Sequence, residues 1–159
     1  KICRIFKKII MREIKYIVVH CTAGPQNQTT ASIKSFWKNS LGWKNVGYHI
    51  IVNADGTYER LSPDDKPTNG VAGYNSNSIH ISYKGGVDSK GRALDNRTDA
   101  QKKTLINLLK QFKKKYPTAK IMGHRDFSPD KNKNGKIEPF EYIKICPSFD
   151  AITEYKNIK

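Results

Sequence analysis

The sequence predicts a single α/β (α+β) domain in which helices flank a mixed central β-sheet. Short β-branched runs alternate along the chain with stretches whose apolar residues recur at helical spacing. The 159 residues, 37% of them hydrophobic, suit one domain with a substantial core. No apolar run approaches the roughly 20 residues that a membrane-spanning helix needs.

The first half of the chain contains the patterns of a strand, a helix and a hairpin. The run YIVVHC predicts a buried strand over Tyr16–Cys21. Apolar residues on one helical face predict a helix over 32–39. The tripeptide ADG predicts a hairpin turn between strands at 48–53 and 57–61.

The second half predicts two more strands and two helices. The run SIHISY predicts a strand over Ser78–Tyr83. A capping box at Thr98 predicts the start of a helix that reaches Tyr116. The residues of this helix that we expect to face inward are Leu105, Leu108, Leu109 and Phe112. A strand over 119–123 follows, and Ser148 is expected to cap a short final helix.

The first ten residues, KICRIFKKII, differ from the rest of the chain. They carry four basic residues and no acid, and their apolar residues recur at helical spacing. This pattern predicts a cationic amphipathic extension over 1–10 that lies on an anionic membrane, ahead of the main domain over 11–159. A solvated tail is the alternative. Charges interrupt the apolar residues and no cleavage site follows, so we expect no signal peptide and synthesis in the cytoplasm.

The chain is strongly basic, with 29 Lys and Arg residues against 14 Asp and Glu residues. A net charge of +15 attracts polyanions such as nucleic acid, anionic lipid or the acidic polymers of a bacterial envelope. No nucleic-acid motif accompanies the charge, so nucleic acid is not the expected partner. The three cysteines, Cys3, Cys21 and Cys146, are widely spaced and indicate no disulfide framework.

Two histidines and one cysteine form a candidate metal site. His20 and His124 each stand at the end of a predicted strand, and strand ends at one sheet edge gather distant side chains into a cleft. Cys146 lies on the loop before the last helix. Two imidazoles and a thiolate suit a catalytic zinc site with an open fourth position. The spacing of these three residues along the chain is not diagnostic of a metal site, and histidines with a purely structural role are the alternative. Cys21 should face away from His20, into the core.

Six segments of the chain form a pattern when they are taken together. They are VHCTAG at 19–24, VGYHII at 46–51, NSNSI at 75–79, GGVDSKG at 85–91, GHRD at 123–126 and KICPSFD at 144–150. In this order and spacing they resemble one family, the zinc-dependent N-acetylmuramoyl-L-alanine amidases of the bacteriophage T7 lysozyme type. The resemblance covers nearly all of 14–155.

The resemblance implies one zinc ion and hydrolysis of the amide between N-acetylmuramic acid and L-alanine of peptidoglycan. It implies His20, His124 and Cys146 as zinc ligands and Tyr48 and Lys144 as catalytic residues. A lysine ammonium and a tyrosine hydroxyl can stabilise the oxyanion of amide hydrolysis. Which of the two moves protons stays open.

The family further implies an endolysin that acts at the bacterial cell wall, and we expect the protein to be a monomer. A non-catalytic peptidoglycan-binding module of the same fold is the alternative. Asn75 and Asn77 are candidate substrate contacts, although asparagines more commonly form turns. One departure concerns a histidine that some relatives carry in the loop before these asparagines. Here that stretch reads TNGVAG over 68–73, and His80 stands on the following strand, where a small residue is common in the family.

A second metal motif lies at 130–141, which reads DKNKNGKIEPFE. It matches the template of a calcium-binding loop, with oxygen ligands at regular positions and a glycine at the sharp turn. The candidate calcium ligands are Asp130, Asn132, Asn134, Lys136 through its carbonyl, Glu138 and Glu141. The alternative is an asparagine-rich turn that only connects His124 to Cys146. The preceding residues do not resemble an entering helix.

Overall fold

A computed structural model describes residues 11–159, so the predicted amphipathic segment 1–10 lies outside the described residues. The strands are β1 (Tyr16–Cys21), β2 (Ile50–Val52), β3 (Tyr58–Arg60), β4 (Ser78–Tyr83) and β5 (Lys120–Gly123). The α-helices are α1 (Thr30–Ser35), α2 (Asp99–Lys115) and α3 (Ala151–Glu154). The strands form one sheet in the order β3-β2-β4-β1-β5, in which only the β2–β3 pair is antiparallel. The predicted mixed α/β domain is confirmed.

Two local predictions differ from the structure. The first predicted helix begins earlier, as α1, and continues as a π-helical turn over Phe36–Ser40. Ser148 was expected to cap the last helix, and this prediction is wrong. Its φ of 72° lies outside the extended region that a cap adopts, and its hydroxyl donates to the Gly86 carbonyl instead. Asp150 is the actual cap and accepts from the Thr153 N–H at 3.1 Å.

The two faces of the sheet differ because successive residues of a strand point in opposite directions. One face packs against α2, and its apolar residues from the two central strands are Ile17, Val19, Cys21, Ile79, Ile81 and Tyr83. The four residues of α2 predicted to face inward are buried against them. Cys21 is therefore a core residue, as predicted. The opposite face of the same strands carries His20 and His80, both fully buried.

The parallel strands β4, β1 and β5 end at the same edge of the sheet. Val19 pairs with Gly123, so His20 in β1 lies beside His124, the first residue after β5. This edge positions the candidate site. Within residues 11–159, no helix is long and apolar enough to cross a membrane.

Candidate active site

Three side chains that are distant in sequence meet at this sheet edge. The ring nitrogens of His20 and His124 and the sulfur of Cys146 offer ligand atoms that all lie within 4.8 Å of one another. Nδ1 of His20 is 3.7 Å from Sγ of Cys146, and the two imidazole centroids are 4.9 Å apart. Among residues 11–159 this is the only group of three or more His, Cys, Asp or Glu side chains with such an arrangement. The structure thus brings together the three predicted zinc ligands.

Backbone contacts hold Cys146 in place. The N–H of Cys21 donates to its sulfur at 3.2 Å, and the N–H of Arg125 donates to its carbonyl at 2.8 Å. Gly123 allows the close approach, because a Cβ at this residue would lie 2.7 Å from Cδ of Pro147. The loop that carries Cys146 is therefore fastened both to β1 and to the turn that begins at His124.

Burial controls the protonation of the three groups. Burial, together with the nearby His80 and His124 rings, lowers the pKa of His20 well below its ordinary value. Burial and the positive charge of Lys144 lower the pKa of His124 to about 4. Burial raises the pKa of the Cys146 thiol. Both imidazoles are consequently neutral at pH 7, the form in which a ring nitrogen can bind a metal.

A cleft of about 710 Å³ opens beside these three groups. Its apolar wall consists of Ile33, Phe36, Trp37, Leu41, Trp43 and Tyr48. The Trp37 and Trp43 rings are stacked with their centroids 6.3 Å apart, while Phe36 keeps 53% of its surface exposed. An apolar wall beside a few convergent polar groups is typical of a ligand-binding site.

The two predicted catalytic residues line this cleft. The Tyr48 ring centroid is 5.0 Å from that of His20, and its hydroxyl donates to the Cys21 carbonyl at 3.4 Å. Burial, with the thiols of Cys146 and Cys21, raises the pKa of Tyr48. Lys144 is exposed and lies close enough for its charge to act on His124. Both side chains therefore stand next to the predicted ligands.

The two predicted substrate contacts have different positions. Asn75 lines the cleft, and its Oδ1 accepts from the Val71 N–H at 2.8 Å. Asn77 is not among the lining residues, and its amide donates to the Glu13 carbonyl at 2.9 Å. Asn77 thus fastens the chain ahead of β1, whereas Asn75 remains a candidate for substrate binding.

The predicted calcium loop is closed by its own hydrogen bonds. The Asp130 carboxylate accepts from the N–H groups of Asn134 and Gly135, at 3.2 and 2.8 Å. The Glu138 carboxylate accepts from the side-chain amides of Asn132 and Asn134, at 2.7 and 2.9 Å. Nothing in the described part of the chain supports calcium at Asp130, Asn132, Asn134, Lys136, Glu138 and Glu141.

Sequence reasoning did not assign a site role to His80. Its Nδ1 lies 2.9 Å from Nε2 of His20, and its own Nε2 lies 2.9 Å from Oδ1 of Asn75. The alternation of β4 places His80 on one face of that strand. His20 shares this face because β4 lies beside β1 in the sheet. Local sequence patterns do not reveal which strands are neighbours.

Comparisons with known proteins agree with this geometry. Residues 11–139 match the family described as N-acetylmuramoyl-L-alanine amidase. The endolysin of Klebsiella phage KP32 is 36% identical over 141 residues, which are 87% of this chain and 83% of that protein. The endolysin of Escherichia phage T7 is 36% identical over 136 residues, covering 84% of this chain and 80% of that protein.

A solved structure adds support from the fold. The Ph2119 endolysin from a Thermus scotoductus MAT2119 bacteriophage superposes with a TM-score of 0.65 at 29% identity, covering 85% of this chain and 77% of that one. The family match ends before Lys144 and Cys146, but the fold brings both to the cleft. The chain therefore belongs to the N-acetylmuramoyl-L-alanine amidase family and is an amidase that hydrolyses peptidoglycan.

Proposed function

We propose that this amidase is a zinc-dependent endolysin that acts at the bacterial cell wall. It cleaves the amide between the lactyl group of N-acetylmuramic acid and L-alanine of the stem peptide. The observation that carries the proposal is the convergence of His20, His124 and Cys146 at one end of an open cleft. The same-fold alternative, a non-catalytic binding module, would be expected to lack part of this ligand set.

The donor set suits zinc. Two neutral imidazoles and a thiol are ligands that Zn²⁺ favours, and three protein ligands leave a fourth position open. Nitrogen and sulfur ligands of a tetrahedral zinc site lie about 3.3–3.8 Å apart. The 3.7 Å between Nδ1 of His20 and Sγ of Cys146 falls in this range. Burial of His20 also excludes competing water from its ring.

Zinc, when bound, would polarise the scissile carbonyl and lower the pKa of a water molecule. Tyr48 and Lys144 supply the rest of the proposed chemistry. A tyrosine hydroxyl keeps its proton at neutral pH and can donate it in a hydrogen bond, and a lysine carries a positive charge. Both can stabilise the negative charge that develops on the carbonyl oxygen, and either can pass a proton to the leaving amine.

The apolar wall and the basic surface fit a glycan–peptide substrate. Tryptophan and phenylalanine faces pack against the apolar faces of sugar rings, and the cleft offers Trp37, Trp43 and Phe36 for this contact. The net charge of +15 favours approach to an anionic envelope. We further propose that residues 1–10 form a separate extension that binds anionic membrane, and that the enzyme acts as a monomer.

Digestion of purified cell walls tests the proposal. The account predicts new amino groups on N-terminal alanine without new reducing sugar ends, since the cleaved bond is an amide. A chelator should abolish the release and stoichiometric zinc should restore it. New reducing ends would indicate a glycosidase, and undiminished digestion in chelator would exclude a metal-dependent reaction.

A further inference from the structure

We propose that His80 is a positioning residue that holds His20 in the tautomer able to ligate the metal. This inference rests on the proposed zinc site, and it concerns a side chain that touches neither the substrate cleft nor the metal position directly. His80 is part of a continuous chain of hydrogen bonds whose donors and acceptors can be assigned from one end to the other.

Asn75 is the end of the chain at which donor and acceptor can be identified first. Its Oδ1 accepts from the backbone N–H of Val71 at 2.8 Å, which identifies this atom as the oxygen and not the nitrogen of the amide. The same oxygen lies 2.9 Å from Nε2 of His80. Because an amide oxygen only accepts, Nε2 of His80 must carry the proton and donate it.

The His80 ring connects Asn75 to His20 in the chain of hydrogen bonds. His80 is fully buried, its ring forms hydrogen bonds with His20 and Asn75 and stacks on the His49 ring, and none of these three side chains carries a negative charge. A charged imidazole in this position would have no counter-charge, so the ring is neutral and Nδ1 accepts. Nδ1 lies 2.9 Å from Nε2 of His20, which must then be the protonated nitrogen of that ring. The lone pair of His20 is left on Nδ1, the atom that faces Cys146.

The backbone of His80 is anchored by a second imidazole. The His80 N–H donates to Nδ1 of His49 at 3.0 Å, and the His49 N–H donates to the His80 carbonyl at 2.9 Å. Nε2 of His49 lies 2.8 Å from the Lys66 carbonyl, to which it donates. This two-way contact fixes His80 relative to the start of β2. Partners on the outer nitrogen of a metal-binding histidine orient the ring in this way, and their loss typically weakens metal binding about 10–100-fold.

Gly70 makes room for the His80 ring. A Cβ at residue 70 would lie 2.4 Å from both Cγ and Nδ1 of His80, so a side chain at residue 70 and the imidazole would compete for one space. An imidazole reaching inward from residue 70 can therefore take the position that His80 leaves when it is truncated. We therefore expect zinc affinity to tolerate the exchange of glycine and histidine between positions 70 and 80 when both residues are changed together, but not when only one of them is changed.

The test measures zinc affinity of the full chain by competition with a chromophoric chelator. His80→Leu keeps most of the volume but removes both hydrogen bonds, and zinc affinity should fall about 10–100-fold. His80→Gln, the matched control, can still accept and donate, and should stay within a few-fold of the unmodified protein. His80→Gly should also lose affinity, and the double variant Gly70→His with His80→Gly should recover part of it. Thermal unfolding of each zinc-free variant verifies that it is folded.

Nitrogen NMR of the histidine rings provides a readout independent of zinc. In the zinc-free protein, His20 should carry its proton on Nε2, and in His80→Leu this preference should weaken. A proton on Nδ1 of His20, or equal zinc affinity for His80→Leu and the unmodified chain, would overturn the inference. Failure of the unmodified chain to bind zinc would instead contradict the proposed function, and the NMR tautomer would still test the hydrogen-bond chain.

Discussion

The backbone N–H of Arg125 donates a 2.8 Å hydrogen bond to the carbonyl oxygen of Cys146. This bond joins the turn that begins at His124 to the loop that carries the third proposed ligand. Together with the contact of the Cys21 N–H to the Cys146 sulfur, it arranges the three side chains through the fold itself. A site that the polypeptide arranges in advance loses less conformational entropy when it binds a ligand.

Gly123 is predicted to be essential to this arrangement. In Gly123→Ala the new methyl group meets the Pro147 ring at 2.7 Å, and the crowding should displace the loop that carries Cys146. We expect a loss of about 1–3 kcal/mol in the free energy of unfolding, measured in urea, and weaker zinc binding. Gly24→Ala is the control, since the nearest atom there is the end of the flexible Gln28 side chain. Equal stability of the two variants would contradict the packing argument.

Tyr48→Phe is predicted to lower activity with little effect on folding. The hydroxyl makes one long hydrogen bond, 3.4 Å to the Cys21 carbonyl, so its removal should cost little stability. If it stabilises the developing negative charge, kcat on cell-wall fragments should fall about 10²–10³-fold, while zinc affinity stays unchanged. Tyr58→Phe, at an exposed position on β3, should have normal kinetics. Full activity of Tyr48→Phe would remove Tyr48 from the mechanism.

The ion pair of Asp95 with the buried Arg97 is predicted to make stability depend on pH. Hydrogen bonds from the Arg97 guanidinium, at 2.8 Å to each carboxylate oxygen, lower the pKa of Asp95 below its ordinary value. The pair therefore stabilises the fold fully above the unfolded-state pKa, about 3.9. The contribution is lost as the pH falls through the lower folded-state pKa. Arg97 also contacts Glu154 and Tyr155, which keep part of its charge compensated.

Urea unfolding of Asp95→Asn between pH 7 and pH 2 checks this dependence. At pH 7 the variant should lose about 1–2 kcal/mol, because a buried cation loses one of its partners. The difference from the unmodified protein should shrink below pH 4. Asp88→Asn, which breaks an exposed pair with Arg92, is the control and should have a smaller effect. A difference that stays constant down to pH 2 would contradict the assigned role of Asp95.

Removal of residues 1–10 is predicted to weaken membrane binding. Four basic residues near an anionic surface contribute about 1 kcal/mol each, so the 11–159 chain should bind phosphatidylglycerol vesicles at least about tenfold more weakly. Zwitterionic vesicles are the control, and digestion of purified walls should stay the same for both chains. Equal vesicle binding would leave the segment without a membrane role.

The central strands and the proposed ligands could both be predicted from the sequence, for different reasons. The runs YIVVHC and SIHISY predict their strands with the observed bounds, because buried parallel strands are continuous β-branched runs. The predicted strand ends at His20 and His124 first indicated the ligand set, and the family resemblance made it specific, since positions 20, 124 and 146 have no diagnostic spacing. The role of His80 could not be predicted from the sequence, because it depends on which strands are neighbours in the sheet. Ser148 was misassigned because a tertiary hydrogen bond to Gly86 overrides its local capping preference.

The zinc content of the purified chain decides whether the amidase depends on a bound metal ion. We expect about one zinc per chain. A chelator should remove the zinc together with the wall-lysing activity, and one equivalent of added zinc should restore both. Cys146→Ser should lose most zinc and activity, whereas Cys3→Ser, the same substitution outside the described residues, should retain both. A chelated protein that lyses walls at the full rate, or a Cys146→Ser variant with undiminished zinc and activity, would contradict the account.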